Sequence, residues 1–193
     1  MLESPSHSED DELLRLISAG NEAAFLEFYN RHQRPVYRFA LQMSGKTDIA
    51  EEVTQDVFVA VMKKATYDST RGSVPAFLYG IARNLVLRCL DREKPYLTLL
   101  DDPEHEYTGQ IADPGADLET TLTLNQRIEF LRKAVLALPP SYREVVVLCD
   151  LHEMDYMQAA DVIGCAIGTI RSRLHRARAL LMEKMRACER CAV

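Results

Sequence analysis

The amino-acid sequence predicts an all-α protein: two small helical domains joined by a flexible acidic linker, with a helix-turn-helix in the C-terminal domain. Apolar residues recur at helical spacing through nearly every segment, and no run of strict alternation between turn signals indicates a strand. Residues 95–121 break this pattern with three prolines, two glycines and many acids. Such a segment cannot bury much apolar surface, which predicts the linker.

The first two helices are predicted from their ends. We expect a disordered tail over residues 1–9 and a first helix over residues 10–19 that stops at Gly20. Asn21 has the side chain of an N-cap for the second helix. Pro35 lies inside that helix and predicts a kink there.

The next two helices complete the N-terminal domain. Asp48 and Glu51 have the spacing of a capping box, which predicts the start of a third helix that runs to about residue 65. Residues 66–73 form a polar loop. Pro75 suits the first turn of a fourth helix, which we expect to end near residue 91.

A second helical domain follows the linker. Residues 127–138 have a helical apolar face, and two prolines end the segment. Ser141 and Glu144 have capping-box spacing and predict a further helix to about residue 151. The face of the first of these helices consists of Ile128, Leu131, Val135 and Leu138.

The last two helices have the proportions of a helix-turn-helix. Asp155 and Gln158 predict a capped short helix that ends at Gly164, and a long helix begins near residue 166. At about 100° per residue, one face of the long helix is apolar and the opposite face is polar and cationic. The apolar face comprises Ile170, Leu174, Ala177 and Leu181, the opposite face Ser172, His175 and Arg176, and the flanks Arg171, Arg173 and Arg178.

Charge is distributed unevenly along the chain. The formal net charge is −6. Residues 98–121 hold seven acids and no Lys or Arg, whereas residues 166–190 hold seven bases and two acids, and residues 71–94 five bases and two acids. Two basic segments separated by an acidic one are compatible with nucleic-acid binding, although a solvated basic helix face would look the same.

Several classes of protein are excluded. The sequence has no apolar run of membrane-spanning length, and its acidic N-terminus is unlike a signal peptide, so we expect a cytoplasmic protein. Catalytic and nucleotide-binding motifs are absent from the sequence. We therefore expect that the protein is not an enzyme and that it binds neither a small-molecule substrate nor a cofactor. An odd number of cysteines, five, argues against a disulfide framework. Cys89, Cys149 and Cys165 have the setting of buried small hydrophobes.

The chain carries two sets of motifs, residues 48–65 and 77–86 in the first half and residues 138–181 in the second. In this order they resemble the extracytoplasmic-function (ECF) sigma factors of the sigma-70 family of bacterial RNA polymerase. In the first half, DIAEEVTQDVFVAVMKKA (48–65) resembles region 2.2, and FLYGIARNLV (77–86) resembles regions 2.3 to 2.4. In the second half, residues 138–181 resemble region 4, and GTIRSRLHRAR (168–178) is the most specific part. The resemblance covers about residues 10–186.

The resemblance implies a division of the chain. Residues 10–94 would form the region 2 domain, which binds core polymerase and recognises and melts the minus-10 element. Residues 95–126 would be the acidic linker and residues 127–187 the region 4 domain, which recognises the minus-35 element. In the family the linker threads the active-site cleft of the polymerase, a role that suits Asp101, Asp102, Glu104 and Glu106.

The resemblance also implies site residues. The contact with core polymerase falls on Glu52, Gln55, Asp56 and Phe58, which would otherwise be an ordinary acidic helix face. Single-stranded minus-10 DNA falls on Thr70, Arg71, Ser73, Phe77, Arg83, Asn84 and Arg88, where Phe77 is alternatively a core residue. The base edges of the minus-35 duplex fall on Arg171, Ser172, His175 and Arg176, and its phosphates on Arg143, Arg173 and Arg178.

The sequence departs from the family pattern at four positions. Phe77 stands where Trp is usual, and Arg88 where an acid is usual. Glu153 replaces a usual Gly, and Gln158 replaces a frequent Glu. None of these abolishes the predicted fold, and each could change promoter preference.

The sequence leaves two questions open: whether the chain works with polymerase or as a separate regulator, and what its C-terminal cysteines do. The expected partners are core polymerase, promoter DNA and an anti-sigma factor. The alternative is a stand-alone helix-turn-helix regulator that responds to metal or redox state. Cys188 and Cys191 form a CxxC at the C-terminus (188–193), which could chelate a metal, but no second pair lies nearby to complete a zinc site, so an incidental frayed tail is the other interpretation.

Overall fold

A computed structural model describes residues 5–63, 67–68, 72–93 and 124–191. Every regular element in these ranges is helical. The N-terminal unit contains α1 (Pro5–Ser18), α2 (Glu22–Ser44), α3 (Thr47–Met62) and α4 (Val74–Glu93). The C-terminal unit contains α5 (Leu124–Leu136), α6 (Pro140–Val146), a π-helical turn (Val147–Leu151), α7 (Tyr156–Ile163) and α8 (Ile167–Cys191). The predicted all-α class with two helical units is confirmed.

Helix α2 is the centre of the N-terminal unit, since α1, α3 and α4 all pack against it. Phe28 and Phe39 of α2 are fully buried, as is Leu78 of α4. The guanidinium of Arg31 holds α1 in place through an ion pair of 2.7 Å with Asp10. Burial of such large apolar side chains contributes about 1.5–3 kcal/mol each, so this packing dominates the stability of the unit.

The structure corrects two helix ends. Because α1 begins at Pro5, residues 5–9 are helical rather than a disordered tail. At the other end, α8 continues to Cys191, so the expectation of a frayed tail from residue 188 is wrong for the backbone of residues 188–191.

Only some of the predicted N-caps form in the structure. The Asn21 side chain accepts a hydrogen bond from the Ala24 amide at 3.0 Å, as expected. The capping box at Asp48 is wrong, because Lys46 precedes the helix and makes no side-chain cap. The box at Ser141 is also wrong: Pro139 is the N-cap, and Glu144 is buried.

In the C-terminal unit, α8 packs against α5, α6 and α7. Ile170, Leu174 and Ala177 are at most 1% exposed, as the helical wheel predicts. The predicted apolar face of α5 is only half buried. Val135 and Leu138 lie in the core, but Ile128 and Leu131 are 41% and 39% exposed.

The two units share one continuous hydrophobic core. Helix α4 packs on α7, and α2 packs on α5, α6 and the π-helical turn. Gly45 ends α2 in a left-handed conformation, and a Cβ there would lie 2.9 Å from Leu136 Cδ1. Glycine therefore suits the left-handed conformation, and a larger residue would also force the Leu136 side chain to shift. None of the described helices combines the length and apolar composition needed to cross a bilayer.

Glu153 connects the π-helical turn to α7 with a φ of 55°. Among the described residues, it alone adopts a positive φ without being a glycine. Its Cβ is crowded by its own backbone in this left-handed region.

We expect Glu153→Gly to raise the free energy of unfolding by about 0.5–1 kcal/mol. The relief of the left-handed conformation, about 1–2 kcal/mol, exceeds the entropy that glycine adds to the unfolded chain. Urea denaturation followed by circular dichroism measures the difference. Glu183→Gly is the matched control, because Glu183 is an exposed residue inside α8. Glycine at a helical position should lower the free energy of unfolding by about 1 kcal/mol. A loss of stability in both variants would contradict the strain assigned to Glu153.

Candidate nucleic-acid interface

Helix α8 is positioned by a capped turn. The Asp155 side chain accepts a hydrogen bond from the Gln158 amide at 2.8 Å and starts α7. Gly164 ends α7 in a left-handed conformation with a φ of 77°, and its amide donates to the Ala160 carbonyl at 2.8 Å. The tight turn lets α8 begin at Ile167 with its apolar face on the core, so its opposite face points outward.

We call the set Arg171, Ser172, His175 and Arg176 the α8 outer face. All four residues are exposed. The Arg171 guanidinium lies 5.9 Å from the centre of the Tyr156 ring, which orients it by a cation–π contact. The Ser172 hydroxyl donates to the Thr169 carbonyl at 3.0 Å. An exposed row of hydrogen-bond donors on one helix is what the major groove of DNA accepts.

The two flanking arginines of α8 already have acidic partners. Arg178 makes two bonds to Asp150, from Nε at 3.1 Å and from Nη2 at 2.5 Å, and these raise the pKa of its guanidinium. Arg173 Nη1 lies 3.4 Å from Glu144 Oε1. A phosphate contact by either arginine would have to compete with a carboxylate of the same unit.

The residues predicted for single-stranded DNA lie along α4 and just before it. Asn84 and Arg88 are exposed, and Phe77 is half-buried with its ring centre 5.3 Å from that of Tyr67. Ser73 is 8% exposed and accepts a hydrogen bond from the Gln158 side chain at 3.4 Å. The predicted contacts Thr70 and Arg71 lie outside the described residues, as does the acidic segment that contains Asp101, Asp102, Glu104 and Glu106.

Arg83, also predicted to contact DNA, is bonded across the two units. Its Nε donates to Glu144 Oε2 at 2.7 Å, and its side chain is only 18% exposed. It also reaches Asn84 Oδ1 at 3.5 Å. In this conformation Arg83 is not presented to nucleic acid.

Three of the four residues predicted to contact polymerase form an exposed row on α3. Glu52, Gln55 and Asp56 are exposed. Phe58 is 2% exposed, and its ring packs edge-on against Tyr29 at 4.8 Å between centres. The assignment of Phe58 to that surface is therefore corrected, because its position on the opposite side of α3 places it in the core.

The sequence interpretation missed two residues on this face. Val59 is 41% exposed and Met62 is 56% exposed. Val59 follows Gln55 by four residues and Met62 follows Val59 by three, which places all three on one side of α3. The signal was available in the sequence as apolar residues in line with the acids, and together they form a surface with apolar and acidic parts.

Arg143 has a structural role that the sequence did not predict. Its guanidinium donates to the carbonyl of Met43 at 2.5 Å and to those of Leu136 and Leu138. These carbonyls belong to residues at the C-terminal ends of α2 and α5, where no helical partner is available. Burial lowers the pKa of Arg143 below its ordinary value. The predicted phosphate contact is corrected, since the charge is turned into the protein.

Two further polar residues join the units, buried Glu144 and partly buried His152, and neither contact was predicted from the sequence. Glu144 is 3% exposed and pairs with Arg83 and Arg173. Burial raises the pKa of its carboxyl, although the two arginines act in the opposite direction. His152 lies 2.8 Å from the Tyr79 hydroxyl and 2.9 Å from Gln42 Oε1. No signal in the sequence pairs residues 61 to 110 positions apart.

The described part of the chain contains no group of three or more His, Cys, Asp or Glu that could hold a metal ion. Cys89 is buried, as predicted, whereas Cys149 and Cys165 are only partly buried. The backbone of Cys188 and Cys191 belongs to α8, but their side chains lie outside the described residues.

Two family models match the chain in the same order as the two units. Sigma-70 region 2 matches residues 28–95, and sigma-70 region 4 matches residues 129–181. The first match covers most of α2 through α4. It includes the exposed residues Glu52, Gln55, Asp56, Val59 and Met62, which we call the α3 face. The second covers most of α5 through the first half of α8, including the α8 outer face.

Curated relatives match most of the chain. It is 31% identical to the ECF RNA polymerase sigma factor SigM of Mycobacterium tuberculosis, over 89% of this chain and 82% of that protein. It is 26% identical to SigW of Bacillus subtilis, over 90% and 95%. SigE of Mycolicibacterium smegmatis is 30% identical over 86% of this chain, which spans 64% of the length of SigE.

Solved structures share the arrangement of helices. CnrH, in complex with the cytosolic domain of CnrY, is similar with a TM-score of 0.67 and 25% identity, covering 93% of this chain and 98% of that one. The sigma factor RpoE of Bartonella quintana, in complex with the anti-sigma factor NepR, has a TM-score of 0.62 and 26% identity, covering 84% and 96%.

We expect Arg143→Ala to lower the free energy of unfolding by about 2–4 kcal/mol, because three partly buried carbonyls lose a charged donor. Denaturation in urea measures the loss. Arg132→Ala is the control, since Arg132 is a 71% exposed residue of α5 and should change stability by less than about 0.5 kcal/mol. An Arg143→Ala protein as stable as the control would restore Arg143 as a candidate for phosphate binding.

Proposed function

Because the chain belongs to the ECF RNA polymerase sigma factors of the sigma-70 family, we propose that it binds core RNA polymerase, directs it to specific promoters and initiates transcription there. The observation that carries the DNA-reading part of this proposal is the α8 outer face. It presents four exposed polar or cationic side chains on a helix fixed by a capped turn.

The minus-35 element is assigned to the C-terminal unit. Arg171 and Arg176 are the candidates for contacts with guanine, because a guanidinium can bond both acceptors of that base in the major groove. Ser172 and His175 supply further hydrogen-bonding groups on the same face. Arg173 and Arg178 would reach phosphates after exchanging their carboxylate partners for the DNA backbone.

The minus-10 element is assigned to the N-terminal unit as a single strand. Exposed Asn84 and Arg88 would contact the backbone, and Arg83 would join them once its bond to Glu144 is broken. The half-buried ring of Phe77 would offer its accessible part for stacking with a base. Thr70, Arg71 and Ser73 complete the proposed contacts. Residues 10–94 and 127–187 are thus the proposed region 2 and region 4 domains.

Core polymerase is assigned to the α3 face. Glu52, Gln55 and Asp56 supply its polar part, and Val59 and Met62 replace Phe58 as its apolar part. A surface that combines exposed apolar groups with acids suits a partner with matching apolar and basic groups.

We assign no chemical step to this chain. In the proposed complex, RNA synthesis belongs to the core enzyme, and the chain supplies recognition and strand opening. It would act in the cytoplasm, where the polymerase acts. The similar RpoE was solved with an anti-sigma factor, and we propose that a protein of this kind also regulates the present chain. A stand-alone regulator is not favoured, since the region 2 match would have no purpose in it.

In-vitro transcription tests the function. Purified bacterial core polymerase is supplied with the chain, or without it, on a fragment library of the host genome. We expect discrete transcripts that depend on the chain and share an upstream sequence motif. If neither transcripts nor a stable complex with core polymerase forms, the proposed function is wrong.

The same assay tests the α8 outer face. Arg171→Ala and Arg176→Ala should each cost about 1–3 kcal/mol of discrimination between the matching and mismatched minus-35 sequence, the usual worth of a base contact. Arg186→Ala is the control, because it removes an exposed charge from α8 beyond this face. Unchanged selectivity in both variants would remove the face from recognition.

A further inference from the structure

We propose that Glu144 acts as an internal substitute for DNA phosphate, which holds the two units closed on each other until polymerase and promoter open them. This inference rests on the proposed function, since it concerns residues assigned there to DNA. Closure would make the free chain a poor binder of single-stranded DNA, and opening would release Arg83 and Ser73 for that strand.

The geometry of the Glu144 carboxylate carries the inference. One oxygen accepts a hydrogen bond from Arg83 Nε at 2.7 Å, and the other lies 3.4 Å from Arg173 Nη1. Arg83 belongs to α4 in the N-terminal unit and Arg173 to α8 in the C-terminal unit. A phosphate group also offers two anionic oxygens to arginine. The carboxylate therefore occupies one arginine of each proposed DNA surface at the same time.

Burial makes this arrangement specific to the closed state. The Glu144 side chain is 4% exposed, against 18% for Arg83 and 26% for Arg173. A buried carboxylate is costly unless it is paired, and its pairing is screened by salt much less than that of a surface group. Separation of the units would hydrate Glu144 and release Arg83 for nucleic acid.

A second contact between the units supports closure independently. His152 of the C-terminal unit lies against Phe39 and Tyr79 of the N-terminal unit, with ring centres 5.8 and 4.9 Å away. Gln42 Oε1 can only accept a hydrogen bond, so His152 Nε2–H donates to it, and Nδ1 is left to accept from the Tyr79 hydroxyl. Neutral His152 is thus fully bonded by the other unit.

A third contact covers another proposed DNA residue. The Gln158 side chain of α7 donates to the Ser73 hydroxyl at the start of α4. Ser73 and Arg83 are both assigned to the minus-10 strand, and both are bonded to the C-terminal unit instead. Binding of that strand through Ser73 and Arg83 therefore competes with closure, so the apparent affinity for the strand falls in proportion to the fraction of chain that is open.

Glu144→Gln in the full-length chain tests the proposal, with Asp150→Asn as its matched control. Both changes remove one negative charge that pairs with an arginine, but Asp150 pairs with Arg178 inside the C-terminal unit. Small-angle X-ray scattering measures the separation of the units, and fluorescence anisotropy measures affinity for a mixed-sequence single-stranded DNA. We expect Glu144→Gln to enlarge the radius of gyration and to bind this DNA about tenfold more tightly, while Asp150→Asn keeps the compact form.

Gln42→Ala provides a second variant in case Glu144→Gln fails to fold. It removes the partner of His152 without altering charge or any proposed DNA contact, and it should also enlarge the chain while circular dichroism shows intact helices. A wild-type chain that is already extended, or compact scattering and wild-type affinity in both variants, overturns the proposal. Neither measurement involves polymerase. A negative result for closure would therefore not contradict the proposed function, and a negative transcription assay would not contradict closure.

Discussion

A buried carboxylate has to be paired, and in this protein the pairing of Glu144 determines how the two halves meet. Its side chain is 4% exposed and pairs with arginines from α4 and α8. Without both arginines the carboxylate would be an uncompensated charge in a poorly hydrated place, at a cost of several kcal/mol. The apolar contacts between the units are less selective, because hydrophobic burial has no direction. The ion pair therefore acts together with the hydrogen bonds of Arg143 and His152 to select which surfaces of the two units face each other.

The sequence predicted the features that depend on local physics. Asn21, Asp155 and Gly164 lie at the helix ends where capping rules place them. The burial of Ile170, Leu174 and Ala177 follows from their spacing along α8. The failed capping box at Ser141 shows the limit of this reasoning. Glu144 has the correct spacing for a cap, but a partner 61 positions away in α4 takes its carboxylate instead.

The difference between local and tertiary effects also explains which residues of the candidate site the sequence predicted correctly. The α8 outer face was predictable, since a residue opposite a buried helical row must face outward. Arg143 and Phe58 were not, because a motif shows which residues are present and not which way they point. Arg143 turns toward three carbonyls whose position depends on how α2 meets α5. Val59 and Met62 were overlooked because an apolar residue on an amphipathic helix is first taken as core.

The separation of charge along the chain explains how a protein with a net charge of −6 is suited to DNA. Charges beyond about 8 Å are largely screened at physiological ionic strength, so binding depends on the local field of each surface. The α8 outer face concentrates cations near the turn that positions it, whereas Asp150 and Glu144 neutralise the flanking arginines of the same helix. DNA would have to break each of these ion pairs before its phosphates could contact the arginine, and breaking a pair costs free energy. In the proposed complex only a site with favourable base contacts as well as phosphate contacts would compensate for the broken pairs, so the paired carboxylates would weaken non-specific binding more than specific binding.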